Sequence, residues 1–380
     1  MKKGCHEKKS SGTHYIFVFL FLALGFSSAV RSADVVGDED EEIEVASRFS
    51  SVYIFGDSLS DTGNLASVVG AFPFPYYMNR VSNGPVGVDV MASALGLDAE
   101  ASLHLIGPEN GTNYAVVDAD AAGDDAIDLT AQVISFQTNH NFTAPSDALY
   151  VLFIGGNDVR NARDADEGHQ AQSMLHEALQ GVREAVISLT QSGARTFLLI
   201  NAPDIGAIPE TRLMADSCGD DRVISRAHSL SRQYRAGLHH LARSLRFQMG
   251  RDIEIIEFDL FGYFRNLLDQ ADRLGLVYTR EACFSQQTQR FHPACQNGEN
   301  ADQFVFFDEI HPTALVHERV GKALARIVLR QSALRYGAPR HGEQRHGEQR
   351  RYAQCGLRFD HDFSYGNRLF RHNIWHSIRY

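Results

Sequence analysis

The stretch Val52-Tyr53-Ile54-Phe55-Gly56-Asp57-Ser58-Leu59-Ser60-Asp61-Thr62-Gly63-Asn64 decides the fold class. Its apolar, β-branched and aromatic run stops at a glycine, which marks a short strand buried on both faces, as in a parallel sheet. With Ser51–Phe55 as the first strand, three later runs repeat the pattern: Ala148–Ile154, Thr196–Asn201 and Ile253–Phe258, each closing on Gly, Asn or Asp. Amphipathic segments are spaced between and after them at Val86–Leu95, Leu129–Phe136, Gln170–Gln191, Val223–Phe247 and Thr313–Arg330, the last opened by Pro312. Strands alternating with helices predict an α/β fold on a mostly parallel sheet. Working residues in such sheets sit beyond the carboxyl ends of the strands.

Ser58 lies at such an end. A serine in a strand-to-loop turn is most often a cap or turn residue, so it gains meaning only from partners elsewhere. Two candidates follow. Phe153-Ile154-Gly155-Gly156-Asn157-Asp158 places an amide at another strand end, where its N–H₂ group could meet a developing oxyanion. Phe306-Phe307-Asp308-Glu309-Ile310-His311-Pro312 sets Asp and His three apart before a helix, so one short turn can carry a general base and the acid that orients it.

Composition narrows the field. The 380 residues hold 47 acidic against 36 basic side chains, a formal charge of −11, which argues against a general nucleic-acid binder. At 44% hydrophobic and 22% charged, the chain resembles an ordinary soluble globular protein. Its ends stand apart. Lys2, Lys3, Lys8 and Lys9, the apolar run Tyr15–Phe26 and the small residues Ser27-Ser28-Ala29 have the layout of a signal peptide over residues 1–29, which predicts an exported (secreted or periplasmic) protein. Residues 30–48, dense in acid from Asp34 to Glu44, read as a solvated linker. Residues 338–380 open on Arg340-His341-Gly342-Glu343-Gln344, repeated at once as Arg345-His346-Gly347-Glu348-Gln349, and read as a basic low-complexity tail. That leaves 49–337 as the folded domain. In an oxidising compartment Cys283 and Cys295, twelve apart in a polar loop, are the natural disulfide pair, and their spacing does not suit zinc.

Taken together, Gly56-Asp57-Ser58-Leu59-Ser60-Asp61-Thr62-Gly63-Asn64, Gly155-Gly156-Asn157-Asp158 and Asp308-Glu309-Ile310-His311-Pro312-Thr313 resemble three ordered motifs of the GDSL-type, or SGNH, esterase and lipase family. Arg80-Val81-Ser82-Asn83-Gly84-Pro85 and the paired cysteines resemble its plant, fungal and bacterial lipolytic branch. The resemblance spans most of residues 50–330. It implies a flavodoxin-like three-layer α/β/α sandwich, with Ser58 as nucleophile, His311 as general base and acid, and Asp308 orienting His311. Asn157 and the Ser58 backbone N–H would be oxyanion donors. One block departs: Asn113-Tyr114-Ala115-Val116-Val117-Asp118-Ala119 carries Asp118 where the family has its oxyanion-hole glycine. A backbone N–H at Asp118 can still donate if its φ is tolerated, and Asp tolerates unusual backbone better than most residues.

The expected reaction is cleavage of a small-molecule or lipid ester through an acyl-enzyme, with no metal or organic cofactor, by a monomer that touches a lipid surface at most transiently. Acyl transfer to a sterol or sugar alcohol, or deacetylation of a polysaccharide, is the alternative within the family. A binding protein that kept the fold is a further reading, motivated by Asp118. Phe72, Phe74 and Tyr76, in the loop just after the first motif, are the candidate wall of an acyl pocket.

Overall fold

In the computed structural model, residues 49–165 and 167–336 are described. The expected signal peptide (1–29), acidic linker (30–48) and basic tail (338–380) lie outside the described residues. Strands β1 (Val52–Gly56), β2 (Leu149–Phe153), β3 (Thr196–Ile200) and β4 (Glu254–Phe258) form one parallel sheet in that order. Every residue of β1 to β3 is buried. Side chains alternate across the pleat, so Tyr53 and Phe55 enter one core while Val52 and Ile54 enter another.

Nine helices follow the chain among the described residues: α1 (Asn64–Val69), α2 (Gly87–Ala94), α3 (Leu129–Asn139), α4 (Gly156–Asp164), α5 (Gly168–Ser192), α6 (Pro209–Cys218), α7 (Arg222–Met249), α8 (Leu260–Asp269) and α9 (Ala314–Tyr336). The first core joins the sheet to α3, α5 and α7, and the second joins it to α2 and α9, which makes the three-layer α/β/α sandwich. Helix α5 shows why it docks: Ala171, Leu175, Ala178, Val182, Ala185, Val186 and Leu189 make one buried stripe at helical spacing. Helices α2 and α9 cross closely, since a Cβ at Gly321 would lie 2.5 Å from the Gly87 carbonyl oxygen.

The five amphipathic segments read from sequence correspond to α2, α3, α5, α7 and α9. The other four, α1, α4, α6 and α8, are short, and α8 nonetheless buries a stripe of Leu260, Phe261, Phe264 and Leu267 at helical spacing. Helix α4 reads Gly-Asn-Asp-Val-Arg-Asn-Ala-Arg-Asp, and burial of Val159 and Ala162 holds it rather than propensity.

The two edges of the sheet are treated differently: one is lined by another segment, the other is touched by a side chain. On the β1 side, the Ile54 and Val116 N–H groups donate to Thr112 and Gly56 carbonyls (3.1 Å each), and the Tyr114 N–H donates to Ile54 (2.7 Å). Segment 112–116 thus runs along β1 and delivers the residues after it to the sheet end where Ser58 sits. On the β4 side, Arg246 of α7 donates to the Ile255 carbonyl (2.7 Å).

Residues 278–307 form a smaller unit: β5 (Tyr278–Ala282) pairs with β8 (Phe304–Phe306), and between them β6 (Phe284–Ser285) pairs with β7 (Arg290–Phe291). Cys283 and Cys295 are joined by a disulfide within it. With Phe284, Ala301, Phe304 and Phe307 they make a third apolar cluster.

Candidate active site

Strand β1 ends at Gly56 because β2 leaves no room for a side chain: a Cβ there would lie 2.4 Å from the Phe153 carbonyl oxygen. The chain then turns at once. Ser60 and Asp61 N–H groups donate to the Asp57 carbonyl (3.0 Å each), and Leu59 N–H donates to Asp57 Oδ1 (3.0 Å), which lifts Ser58 over the end of the sheet. Asp61 accepts from the Gly63 and Asn64 N–H groups (2.7 Å each) and from Val117 N–H (3.0 Å). Asn64 Nδ2 donates to the Asn113 and Ala115 carbonyls (2.8 Å each), and Asn113 Nδ2 donates to the Ser60 carbonyl (2.7 Å). These residues interlock the first two motifs and set where Ser58 stands relative to the 113–119 segment.

His311 and Asp308 arrive on the turn after β8. His311 Nε2 lies 2.9 Å from Ser58 Oγ, and His311 Nδ1 lies 2.8 and 2.9 Å from the two Asp308 oxygens. All three side chains are buried. Asp308 Oδ1 also accepts from the Ile310 and His311 N–H groups (2.9 and 2.7 Å). Burial by itself would raise the Asp308 carboxyl, but the His311 ring and these hydrogen bonds outweigh it and hold the group below the usual carboxylate range. Nδ1 facing a carboxylate leaves the Nε2 lone pair for the Ser58 hydroxyl.

Two further donors reach Asp308 Oδ2: Tyr76 OH at 3.0 Å and Gln286 Nε2 at 2.9 Å. Gln286 Nε2 also donates to the Tyr76 oxygen (2.7 Å), and its own backbone N–H is held by Glu309 (3.0 Å). The sequence reading missed Gln286 altogether. No local pattern marks it, because it follows the disulfide-linked hairpin strand β6 and meets Tyr76 from 210 positions away.

Asn157 stands in the first turn of α4. Its Nδ2 donates to the Ala119 carbonyl (3.0 Å), and its Oδ1 accepts from Arg160 Nη1 (3.0 Å), which fixes which way the amide faces. Arg160 is itself held by Glu210 (3.0 and 2.6 Å). Gly155 before it has φ of 113°, and a Cβ there would sit 2.2 Å from the Tyr234 ring, so only glycine fits. Asp118 adopts φ of 71°, the left-handed region that a glycine would take without strain. Solvent reaches its side chain, yet the surrounding protein raises its carboxyl, with Arg160 and His311 pulling the other way.

A cavity of about 50 Å³ opens at Ser58, Asn157 and His311 and runs between the sheet end and α8 and α9. Phe153, Ile205, Leu260, Phe264 and Val316 make much of its apolar wall. Phe72, Phe74 and Tyr76 are not part of that wall: Phe74 is 79% exposed, and Tyr76 turns its hydroxyl to Asp308. The wall residues come from widely separated segments, whereas the aromatic loop drew notice because its residues are consecutive.

A hydroxyl, an imidazole and a carboxylate in series beyond the carboxyl ends of a parallel sheet, beside an apolar cavity, are the parts of a nucleophilic acyl-transfer site in a hydrolase of the α/β class. More particularly, residues 52–324 match the GDSL-like lipase/acylhydrolase family, and the chain belongs to that family, whose members make it a carboxylic ester hydrolase. It is 24% identical over 327 residues to phosphatidylcholine-sterol acyltransferase of Aeromonas hydrophila, covering 74% of this chain and 91% of that one. It is 25% identical over 337 residues to acetylajmalan esterase 2 of Rauvolfia serpentina, with 74% and 91% covered. A solved acetylxylan esterase of Geobacillus stearothermophilus aligns at 12% identity and TM-score 0.41, covering 75% of this chain and 96% of that one.

Proposed function

We propose that the protein is an exported esterase that cleaves carboxylic esters through an acyl-enzyme formed on Ser58. The observation that carries this reading is the unbroken chain Ser58 Oγ, His311 Nε2, His311 Nδ1, Asp308, each link at 2.8 or 2.9 Å. His311 takes the Ser58 proton as Oγ attacks the ester carbonyl. The carbonyl oxygen becomes an oxyanion, for which the backbone N–H groups of Ser58 and Asp118 and the second Asn157 amide hydrogen are the donors; the first amide hydrogen is engaged by Ala119. As the C–O bond breaks, the alcohol leaves with the proton from His311. Water then gives a proton to His311, attacks the acyl carbon, and Ser58 recovers its hydrogen as the acid departs. Asp308 stabilises the charged imidazole at each stage, and the cavity holds the acyl carbons next to the carbonyl.

Export is supported by the signal-like residues 1–29 and by the disulfide, which persists in oxidising compartments. Among the described residues no helix is long and apolar enough to cross a membrane. Acyl transfer to an alcohol is the second reading, favoured by the similarity to an acyltransferase.

The test is hydrolysis of a nitrophenyl ester series, with products analysed with and without an added acceptor alcohol. Ser58→Ala is expected to lower kcat by about four orders of magnitude or more. A parent protein no faster than Ser58→Ala refutes the reading, and an acyl-alcohol product that outruns free acid moves it to transfer.

A further inference from the structure

Residues 64–79, Asn64 to Asn79, contain no charged side chain, in a chain that is 22% charged. Within this run Val69 is 52% exposed, Phe74 79%, Tyr77 40% and Met78 66%. Single exposed apolar residues are common and need no explanation, but several in one uncharged loop beside a reactive site are a different matter. The loop is built rather than loose. Phe72 N–H donates to Asn79 Oδ1 (3.1 Å), and Tyr77 N–H donates to the Ser82 carbonyl (2.9 Å). Arg80 Nη1 donates to the Met78 carbonyl (2.8 Å) while the same guanidinium is paired with Asp89. Phe74 meets Phe291 with tilted rings, 6.0 Å between centroids.

Met78 carries two costs at once. Its backbone sits at φ of 42°, a region unfavourable for an unbranched apolar side chain, and that side chain is then presented to water. The Arg80 bond to the Met78 carbonyl holds the backbone in place but does not cover the side chain. The inner side of the same loop holds Tyr76 OH against Asp308, so whatever meets the outer side lies next to the Ser58 site.

We propose that the loop 69–78 is the surface by which this protein sits on a lipid–water interface, with its exposed apolar side chains entering the boundary of a neutral, zwitterionic lipid layer. The loop's lack of charge selects that occupant. Residues 64–79 carry no cation and Arg80 beside them is engaged by Asp89, so the loop offers an anionic layer no charge to hold and apolar burial supplies the attraction. Seated this way, the loop sets the Ser58 cleft beside a surface in which ester substrates are concentrated. The inference goes beyond the esterase reading and does not need it, because docking is measured without turnover.

The full chain carrying Ser58→Ala is sedimented with sucrose-loaded phosphatidylcholine vesicles, alone and with Val69→Ser/Met78→Asn added, Asn being chosen because it tolerates the left-handed backbone at 78. The double change is expected to lower the partition coefficient by about tenfold. In the chain with Ser58 intact it is expected to lower hydrolysis of an ester dispersed in phosphatidylcholine, leaving hydrolysis of a soluble nitrophenyl ester unchanged and the melting temperature no lower. Three results overturn the proposal: no sedimentation of the parent, equal sedimentation of the double variant, or binding that appears only with phosphatidylserine. A dimer in light scattering that the double change dissolves also overturns it, assigning the loop to a second copy of the chain. Absence of soluble-ester hydrolysis in the chain with Ser58 intact would instead sink the esterase reading and leave docking intact.

Discussion

Replacing Tyr76 by Phe removes one O–H and almost nothing else, and the surroundings of Asp308 fix what that costs. Oδ2 accepts from Tyr76 OH at 3.0 Å and from Gln286 Nε2 at 2.9 Å, while Oδ1 keeps the Ile310 and His311 N–H groups. A hydrogen bond to a charged group contributes about 1.5–3 kcal/mol, and with Gln286 still on the same oxygen the lower end applies, which is about tenfold in rate. We therefore expect kcat on a soluble nitrophenyl ester to fall about tenfold with KM unchanged, since Tyr76 stands outside the cavity wall. The acidic limb of the pH profile moves as well. The His311 ring and the Ile310 and His311 N–H groups hold the Asp308 carboxyl low against burial; a donor removed from Oδ2 leaves its charge less compensated, so the Asp308–His311 pair takes up a proton more readily and the limb shifts to higher pH. Gln286→Ala acts on the same oxygen and also removes the donor to the Tyr76 hydroxyl (2.7 Å), so the two changes together cost less than their sum. The assay is a pH–rate profile for each single variant and the double, with melting curves to exclude loss of fold. A Tyr76→Phe protein with the parent kcat and an unmoved acidic limb, or one whose loss falls wholly on KM, refutes the argument.

Asp118→Gly is expected to raise kcat severalfold and to stabilise the fold by up to about 1 kcal/mol, because glycine adopts φ of 71° without strain and the carboxylate beside the forming oxyanion is gone; a fall in kcat would show that the Asp118 side chain takes part productively. Asp57 tests pH-linked stability: burial pushes its carboxyl up to about 7, so the folded chain keeps a proton that the unfolded chain gives up, and stability falls as pH rises from about 4 to about 7. Asp57→Asn cannot ionise yet still offers Leu59 an acceptor, so its melting temperature should exceed the parent's at pH 8 and differ little at pH 4, and an equal difference at both pH values rules the explanation out.

Much of the sheet is legible before any coordinates. Ser51–Phe55, Ala148–Ile154 and Thr196–Asn201 can be read because strands buried on both faces leave an apolar trace bounded by polar turns, and the edge strand in Ile253–Phe258 keeps enough of it despite Glu254 and Glu257. The five amphipathic helices were readable for the matching reason, one face each. Helix α4 was not, since only Val159 and Ala162 of its nine residues are apolar, and it is held by these and by Asp158, whose carboxylate accepts from the Ala121 and Ala122 N–H groups. The same divide runs through the site. Ser58, Asn157, Asp308 and His311 stand in motifs whose order along the chain is itself the signal. Gln286, the hydroxyl role of Tyr76 and the cavity wall depend on long-range packing: Tyr76 and Asp308 are 232 positions apart, and nothing near either names the other. The consecutive aromatics 72–77 had a local pattern, but exposure rather than pattern separates a wall from a projection.

The margins of the central sheet bear on how the protein fares at high concentration. An open strand invites a neighbouring molecule to add its own backbone in register, the usual start of fibrous aggregation. Here segment 112–116 already fills one side, and on the other Arg246 caps the Ile255 carbonyl while Glu254 and Glu257 place two carboxylates along β4. Crowded molecules therefore meet through side chains and not through main-chain ladders, and concentrated preparations should stay clear and free of cross-β diffraction.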